Sequence, residues 1–321
     1  MKTSLLIAIS FLLFGFQGCK NKIHKSGSIK SIKGYEFYLE NNGDSVFTLT
    51  SQTKYNRKGD LTSQKEFSPS GKILKEIVFT YTLQGQPKIK KEIDYSFDSS
   101  VTTSEFYFDD NDSLIALIIS DESRTSYRIF YKRDASGKLI EEREFQGEET
   151  MPYSSRIIVY DQQGRVRAID KFRSDTLIES IEKFYGSGGL LVKEKIHKKE
   201  QLDMIYFNFY QYDSLNRNTL KKSYWLNDSN YHESRMTYYE NGGLKETTQK
   251  CIGCLKSIVR KQVLNEQGYL IRREQNTSSG EQLKVWTYDF TYDKFNNWIT
   301  QYPMYPGRKE IGTKRVIEYY E

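Results

Sequence analysis

Cys251-Ile252-Gly253-Cys254 is the tightest group of reactive side chains in this 321-residue sequence. In an oxidising compartment a pair this close is by default a disulfide between Cys251 and Cys254. An exchange catalyst would need its first thiol at a helix N-terminus, which lowers the thiol pKa. Here the pair lies between Lys245-Glu246-Thr247 and Ser257-Ile258-Val259, two strand-like stretches. Free or metal-linked thiols are the remaining alternative. The three histidines, His24, His197 and His232, are scattered and have no partner at metal spacing. A zinc site needs three or four converging ligands, so no metal or cofactor is expected. Gly186-Ser187-Gly188-Gly189 is not followed by Lys-Ser/Thr, which a phosphate cradle requires, and reads as a hairpin loop. Glu141 and Glu142 point to opposite faces of a strand and cannot share an acid/base task. No Gly-x-Ser-x-Gly elbow is present. The chain reads as a non-enzyme.

The elements holding these residues follow a repeat of about 26 residues, as arrays and solenoids do. Each copy has an aromatic residue, a short polar turn ending in Gly or Asn, and then an aliphatic residue; Tyr160-Asp161-Gln162-Gln163-Gly164-Arg165-Val166 is the clearest. From Asn111 onward the turn residues fall at Asn111, Gly137, Gly164, Gly189, Asn216, Gly243, Gly268 and Asn297. Asp161 suits the first turn position because its carboxylate accepts from the backbone two residues on. Gly164 supplies the positive φ of a type I turn plus bulge. Nearer the start, Gly59, Gly71 and Gly85 lie closer together, as if each strand there had its own matching turn.

Tyr (25) and Phe (18) are abundant while Ala occurs only at 8, 116, 135 and 168, a mix that favours strands over helices. Lys284 to Tyr292 alternates, with Trp286, Tyr288, Phe290 and Tyr292 on one face. Met204 to Tyr212 carries large residues on both faces and reads as a strand covered on both sides. A hydrophobic content of 37% suits a sheet one or two layers thick. The net charge is +6, with basic and acidic residues interleaved. A nucleic-acid surface would show a dense basic stripe instead, so no nucleic-acid partner is expected.

Met1-Lys2-Thr3 followed by the apolar run Ser4 to Phe16 has the form of a signal peptide, too short to span a bilayer. It ends in Phe16-Gln17-Gly18-Cys19, which resembles the lipobox of bacterial lipoproteins. Gly18 and Cys19 match; Phe16 and Gln17 depart from the commonest Leu-Ala/Ser pattern. The resemblance implies cleavage after residue 18, lipidation of Cys19 and anchoring in the envelope membrane. Lys20 to Ser31 reads as a flexible tether, and Lys20, Lys22, Lys25 and Lys30 suit anionic head groups. The tether lacks the acidic run that resembles a surface-export signal, which favours the periplasmic face of the outer membrane.

The repeat resembles the YD repeat of RHS-type proteins and related Bacteroidetes lipoproteins. Tyr160-Asp161 with Gly164-Arg165, Tyr212-Asp213 with Asn216-Arg217, and Tyr292-Asp293 with Asn296-Asn297-Trp298 carry the likeness. It runs from about Tyr55 to Tyr302. The resemblance implies an all-β array of stacked antiparallel hairpins. The copies are fewer than the family's closed shells hold, so an open or curved sheet over 32–321 is expected. Lys30 to Thr50 would cap one edge and Lys314 to Glu321 would form a charged final strand. Ile311 to Glu321 has nothing like the autocleavage core or toxin domain. Function is expected to be scaffolding, with an envelope protein as partner; the alternative is a glycan or peptidoglycan module using exposed aromatic rows.

Overall fold

The computed structural model describes residues 29–39, 45–95, 100–121, 124–200, 203–226, 229–254, 257–304 and 311–320. Cys19, His24 and the signal segment lie outside them. Among the described residues twenty-two strands follow one another. The first eight are β1 (Ile29–Leu39), β2 (Ser45–Tyr55), β3 (Leu61–Phe67), β4 (Ile73–Tyr81), β5 (Pro87–Asp94), β6 (Ser100–Phe108), β7 (Leu114–Asp121) and β8 (Arg124–Arg133). Next come β9 (Leu139–Gln146), β10 (Ser154–Tyr160), β11 (Val166–Arg173), β12 (Thr176–Tyr185), β13 (Leu191–Lys198), β14 (Met204–Tyr212) and β15 (Asn218–Trp225). The last are β16 (Tyr231–Tyr238), β17 (Leu244–Ile252), β18 (Ile258–Leu264), β19 (Leu270–Thr277), β20 (Gln282–Tyr292), β21 (Trp298–Met304) and β22 (Ile311–Tyr319).

Each strand pairs antiparallel with the next, and β22 pairs antiparallel with β1, so the sheet closes into one up-and-down barrel. This corrects the expected open or curved array. The supposed N-terminal cap and charged final strand are each other's partners, from Ile29 with Tyr319 to Tyr38 with Ile311. Strand β1 also claims residues 29–31, which the sequence reading gave to the tether. Closure needs only about 16° of turn per strand pair, well inside the usual strand twist. The number of copies is therefore no obstacle. Phe37 and Gly312 set the seam. A Cβ at 312 would overlap the Phe37 ring, and the bare glycine lets Phe37, 2% exposed, pack tilted on Phe47 and edge-on to Tyr302 at ring separations of 5.3 and 5.1 Å.

The pairing also decides which face is inside. From Ser31 the partners run Lys54, Ser63, Val78, Lys91, Thr103 and Ser120, climbing from the rim where β1 begins to the rim where β7 ends. Given the right-handed twist of L-residue strands, a climb in that sense turns the face bearing these residues outward. The opposite face is luminal. It holds the cluster of Leu117, Ile119 and Ile129 with Phe106, Tyr127 and Tyr131. A luminal apolar row also runs through Ile158, Ile169, Ile181, Ile196, Tyr206 and Trp225, each opposite the next.

The wall is one sheet thick, and no described side chain is less than 2% exposed. Strand β14, expected to be covered on both sides, is half-buried along most of its length. A circular ring of this strand number at the usual tilt would measure about 42 Å between opposite strand axes.

Candidate functional site

The turns that follow the even-numbered strands all lie on one rim, where β1 begins and β22 ends. The YD motif is the machinery of that rim. In its clearest copy, Asp161 N–H donates to the Arg165 carbonyl at 2.8 Å and Gly164 N–H to the Asp161 carbonyl at 2.9 Å. Asp161 Oδ1 accepts from the backbone of Gln163 and Arg165, and Oδ2 from Arg165 Nε at 2.7 Å. The Arg165 guanidinium lies 4.5 Å from the centroid of the Tyr185 ring in the next copy. Tyr185 Oη donates back to the Val166 carbonyl at 2.8 Å. Arg217 repeats this with Asp213 and Tyr238. Tyr81, Tyr160 and Tyr212 likewise donate to the carbonyls of Leu61, Leu139 and Leu191. Tyr320 donates to the Tyr55 carbonyl at the end of β2, a bond that crosses the seam. The motif residues are thus occupied with one another.

Positive φ falls at Gly59, Gly137, Gly164, Gly189 and Gly268 on this rim. Gly71 has it too, but in the β3–β4 turn on the other rim, so the apparent crowding near the start mixes two rims. Three positions shift by one residue. Gly242 rather than Gly243, Asp112 rather than Asn111, and Asn296 rather than Asn297 take the left-handed conformation. The Gly242-Gly243 and Tyr238-Tyr239 doublets each allow two alignments; hydrogen bonding selects Tyr238 as the stitch and puts Tyr239 in the Asp position.

Cys251 and Cys254 are disulfide-bonded, with Cα atoms 5.8 Å apart, at the opposite rim. His232 sits across from Cys251 on β16, and His197 Nε2 lies 2.6 Å from Asp203 Oδ1. Among the described residues no group of three or more His, Cys, Asp or Glu converges to hold a metal.

Titratable groups cluster in two places. On the outer wall Glu233, 3% exposed, meets Arg235 at 2.7 Å, Lys250 at 3.4 Å and Lys222 at 3.9 Å. Burial pushes its carboxyl up, but the hydrogen bonds and charges of Arg235 and Lys250 outweigh that and hold it low. On the luminal side Tyr131, Glu142, Glu144, Ser154 and Arg156 adjoin across β8, β9 and β10. Arg156 binds Glu142 at 3.0 Å, and Ser154 donates to Glu144 at 2.9 Å. Burial raises the Glu144 carboxyl and the Tyr131 phenol. Neither recess described in the wall is lined by these residues.

Charge is distributed unevenly around the lumen. Glu92, Glu142, Glu179 and Glu194 project inward from β5 to β13, each paired with a Lys or Arg. From β14 to β22, the described luminal strand positions carry Lys221, Lys245, Arg260, Arg273, Lys284 and Arg315 and no Asp or Glu. The acidic residues of this sector, such as Glu246, Glu274 and Asp289, face outward. The six bases were visible in the sequence, but their shared wall follows only from the register.

No family model matches the sequence, and no curated protein matches it. Among solved structures, the crystal structure of TcdB2-TccC3-TEV is similar over 85% of this chain and 15% of that one, at 11% identity and TM-score 0.37. The Photorhabdus luminescens Tc holotoxin pore is similar over 91% and 22%, at 8% identity and TM-score 0.30. A porin-like protein from Bacteroides uniformis is similar over 91% and 98%, at 7% identity and TM-score 0.31. The chain spans less than a quarter of the two toxin chains. Likenesses this faint assign neither a family nor a function.

Proposed function

We propose that this protein is a lipid-anchored, non-enzymatic envelope lipoprotein of the YD/RHS-like repeat type, a barrel scaffold that holds another envelope protein. One observation carries the reading: both faces of the wall bear charges at mid-strand. Glu141 and Arg143 face out from β9 while Glu142 and Glu144 face in; Lys193 and Lys195 face out from β13 while Glu194 faces in. A closed barrel is compatible with an outer membrane. A lipid-facing wall needs an apolar band, however, and each Lys or Arg near the midplane would cost about 2–4 kcal/mol. The barrel is therefore read as standing in water, held by acyl chains on Cys19. β1 begins and β22 ends at the rim of YD turns, so that rim would face the membrane from the periplasmic side, and the disulfide rim would face away.

Cys19→Ser tests the anchor. It should move the protein from the membrane to the soluble periplasmic fraction and abolish acyl labelling; unchanged membrane retention without label would contradict it. In-cell crosslinking should recover a defined envelope protein on the outer wall. The second reading, a glycan-binding module, is favoured by Trp286, Tyr288, Phe290 and Tyr292, whose rings line the lumen of β20.

A further inference from the structure

Strands β17, β18 and β19 build a luminal checkerboard. Thr247, Gln262 and Arg273 are opposite one another in one row, and Gln249, Arg260 and Gln275 in the next. These six residues line a recess of about 220 Å³. Arg260 and Arg273 sit on its diagonal, where cross-strand neighbours stand roughly 7–8 Å apart. Both are exposed, and among the described residues neither forms an ion pair. The carboxylates of the same strands, Glu246 and Glu274, are on the outer face with Lys261 and Arg272. At the edge, Trp286 is opposite Arg273 and Lys284 opposite Gln275.

This chemistry is selective. Two guanidiniums without counterions call for an anion with more than one negative group. The amides of Gln249, Gln262 and Gln275 both donate and accept, as the hydroxyls of a sugar do, whereas a peptide carboxylate only accepts. Trp286 offers an aromatic face beside them. A folded acidic protein would also need an apolar pocket for its anchors, whereas this recess is lined by Thr, Gln and Arg. We propose that the lumen over β17–β20 binds a carboxylate-bearing oligosaccharide, a uronate chain. The proposal rests on the second, glycan reading and adds to it a place and a charge. It is independent of the anchor and of any partner on the outer wall.

Titration calorimetry on the full barrel tests it with three ligands of matched length: an oligogalacturonate, a neutral gluco-oligosaccharide and oligo-glutamate. The uronate should bind at least tenfold more tightly than either of the others. Arg260→Gln with Arg273→Gln should cost at least tenfold. Arg272→Gln, which changes the same charge on the outer face of the same strand, should leave affinity unchanged. Circular dichroism on each variant shows that the barrel persists. Equal binding of the neutral sugar would overturn the uronate assignment while leaving the glycan reading in place. Equal binding of oligo-glutamate, or an equal loss with Arg272→Gln, would reduce the effect to general electrostatics and overturn it. No saccharide binding at all would sink both.

Discussion

Tyr185 and its counterparts each use one hydroxyl to satisfy a carbonyl on the neighbouring strand, and an Arg from the preceding turn covers the rings of Tyr185 and Tyr238. Tyr185→Phe should cost about 1 kcal/mol in chemical denaturation, the net worth of one such bond plus an unpaired carbonyl. Gly164→Val should cost more than about 1 kcal/mol because φ is +75° there, and its Cβ would also press on the end of Lys138. Val at Gln162, in the same turn, should cost much less. Equal effects at 162 and 164 would remove the turn from the account. Titration should show the same residues. The backbone N–H of Arg217 holds the Asp213 carboxyl below its ordinary range, and the Ser136 hydroxyl does so for Asp134. Their contribution is present above the unfolded carboxylate pKa and is lost as pH falls through the folded one. Burial, with the Asp60 charge adding, pushes the Tyr81 phenol up to about 12. Its contribution is present below the unfolded value near 10 and is lost as pH rises towards 12. Denaturation midpoints should therefore hold level from about pH 5 to 9 and fall on both sides. A smaller alkaline fall in Tyr81→Phe assigns that limb to the stitch; an identical fall removes Tyr81 from it.

At the level of strands, the 26-residue period and the alternation of Trp286 to Tyr292 were legible because turn chemistry and side-chain alternation are local. The closing pair was not. Ile29 and Tyr319 meet only through register accumulated over the whole chain, and nothing in Lys30 to Thr50 distinguishes a partnered strand from a cap. Doublets blurred local alignment too, as at Tyr238-Tyr239. The seam has its own test. Gly312→Ala would crowd Phe37 and should cost about 1–3 kcal/mol, the usual range for overpacking. Gly268→Asn, at a turn position where Asn tolerates positive φ, should cost only a few tenths. A harmless Gly312→Ala would mean that Phe37 does not pack on β22.

For the whole molecule, closure converts a row of hairpins into a hollow wall with two different faces. Outer charges are interleaved and mostly paired; the luminal ones separate into a paired mixed sector and a basic one. The candidate binding surface was illegible in sequence for that reason: Arg272 and Arg273 are neighbours along the chain but stand on opposite sides of the wall. The lumen and its basic sector exist only if the barrel is closed within one chain. Lys33 and Val316 are directly opposite across the seam, so mild oxidation of a Lys33→Cys, Val316→Cys variant, in protein carrying Cys19→Ser, tests that dependence. The account predicts rapid formation of an intramolecular disulfide in monomeric protein, seen as a faster-migrating band that reduction abolishes. Free thiols at both positions, or crosslinked dimers in place of the monomer, would show an open sheet with exposed edges.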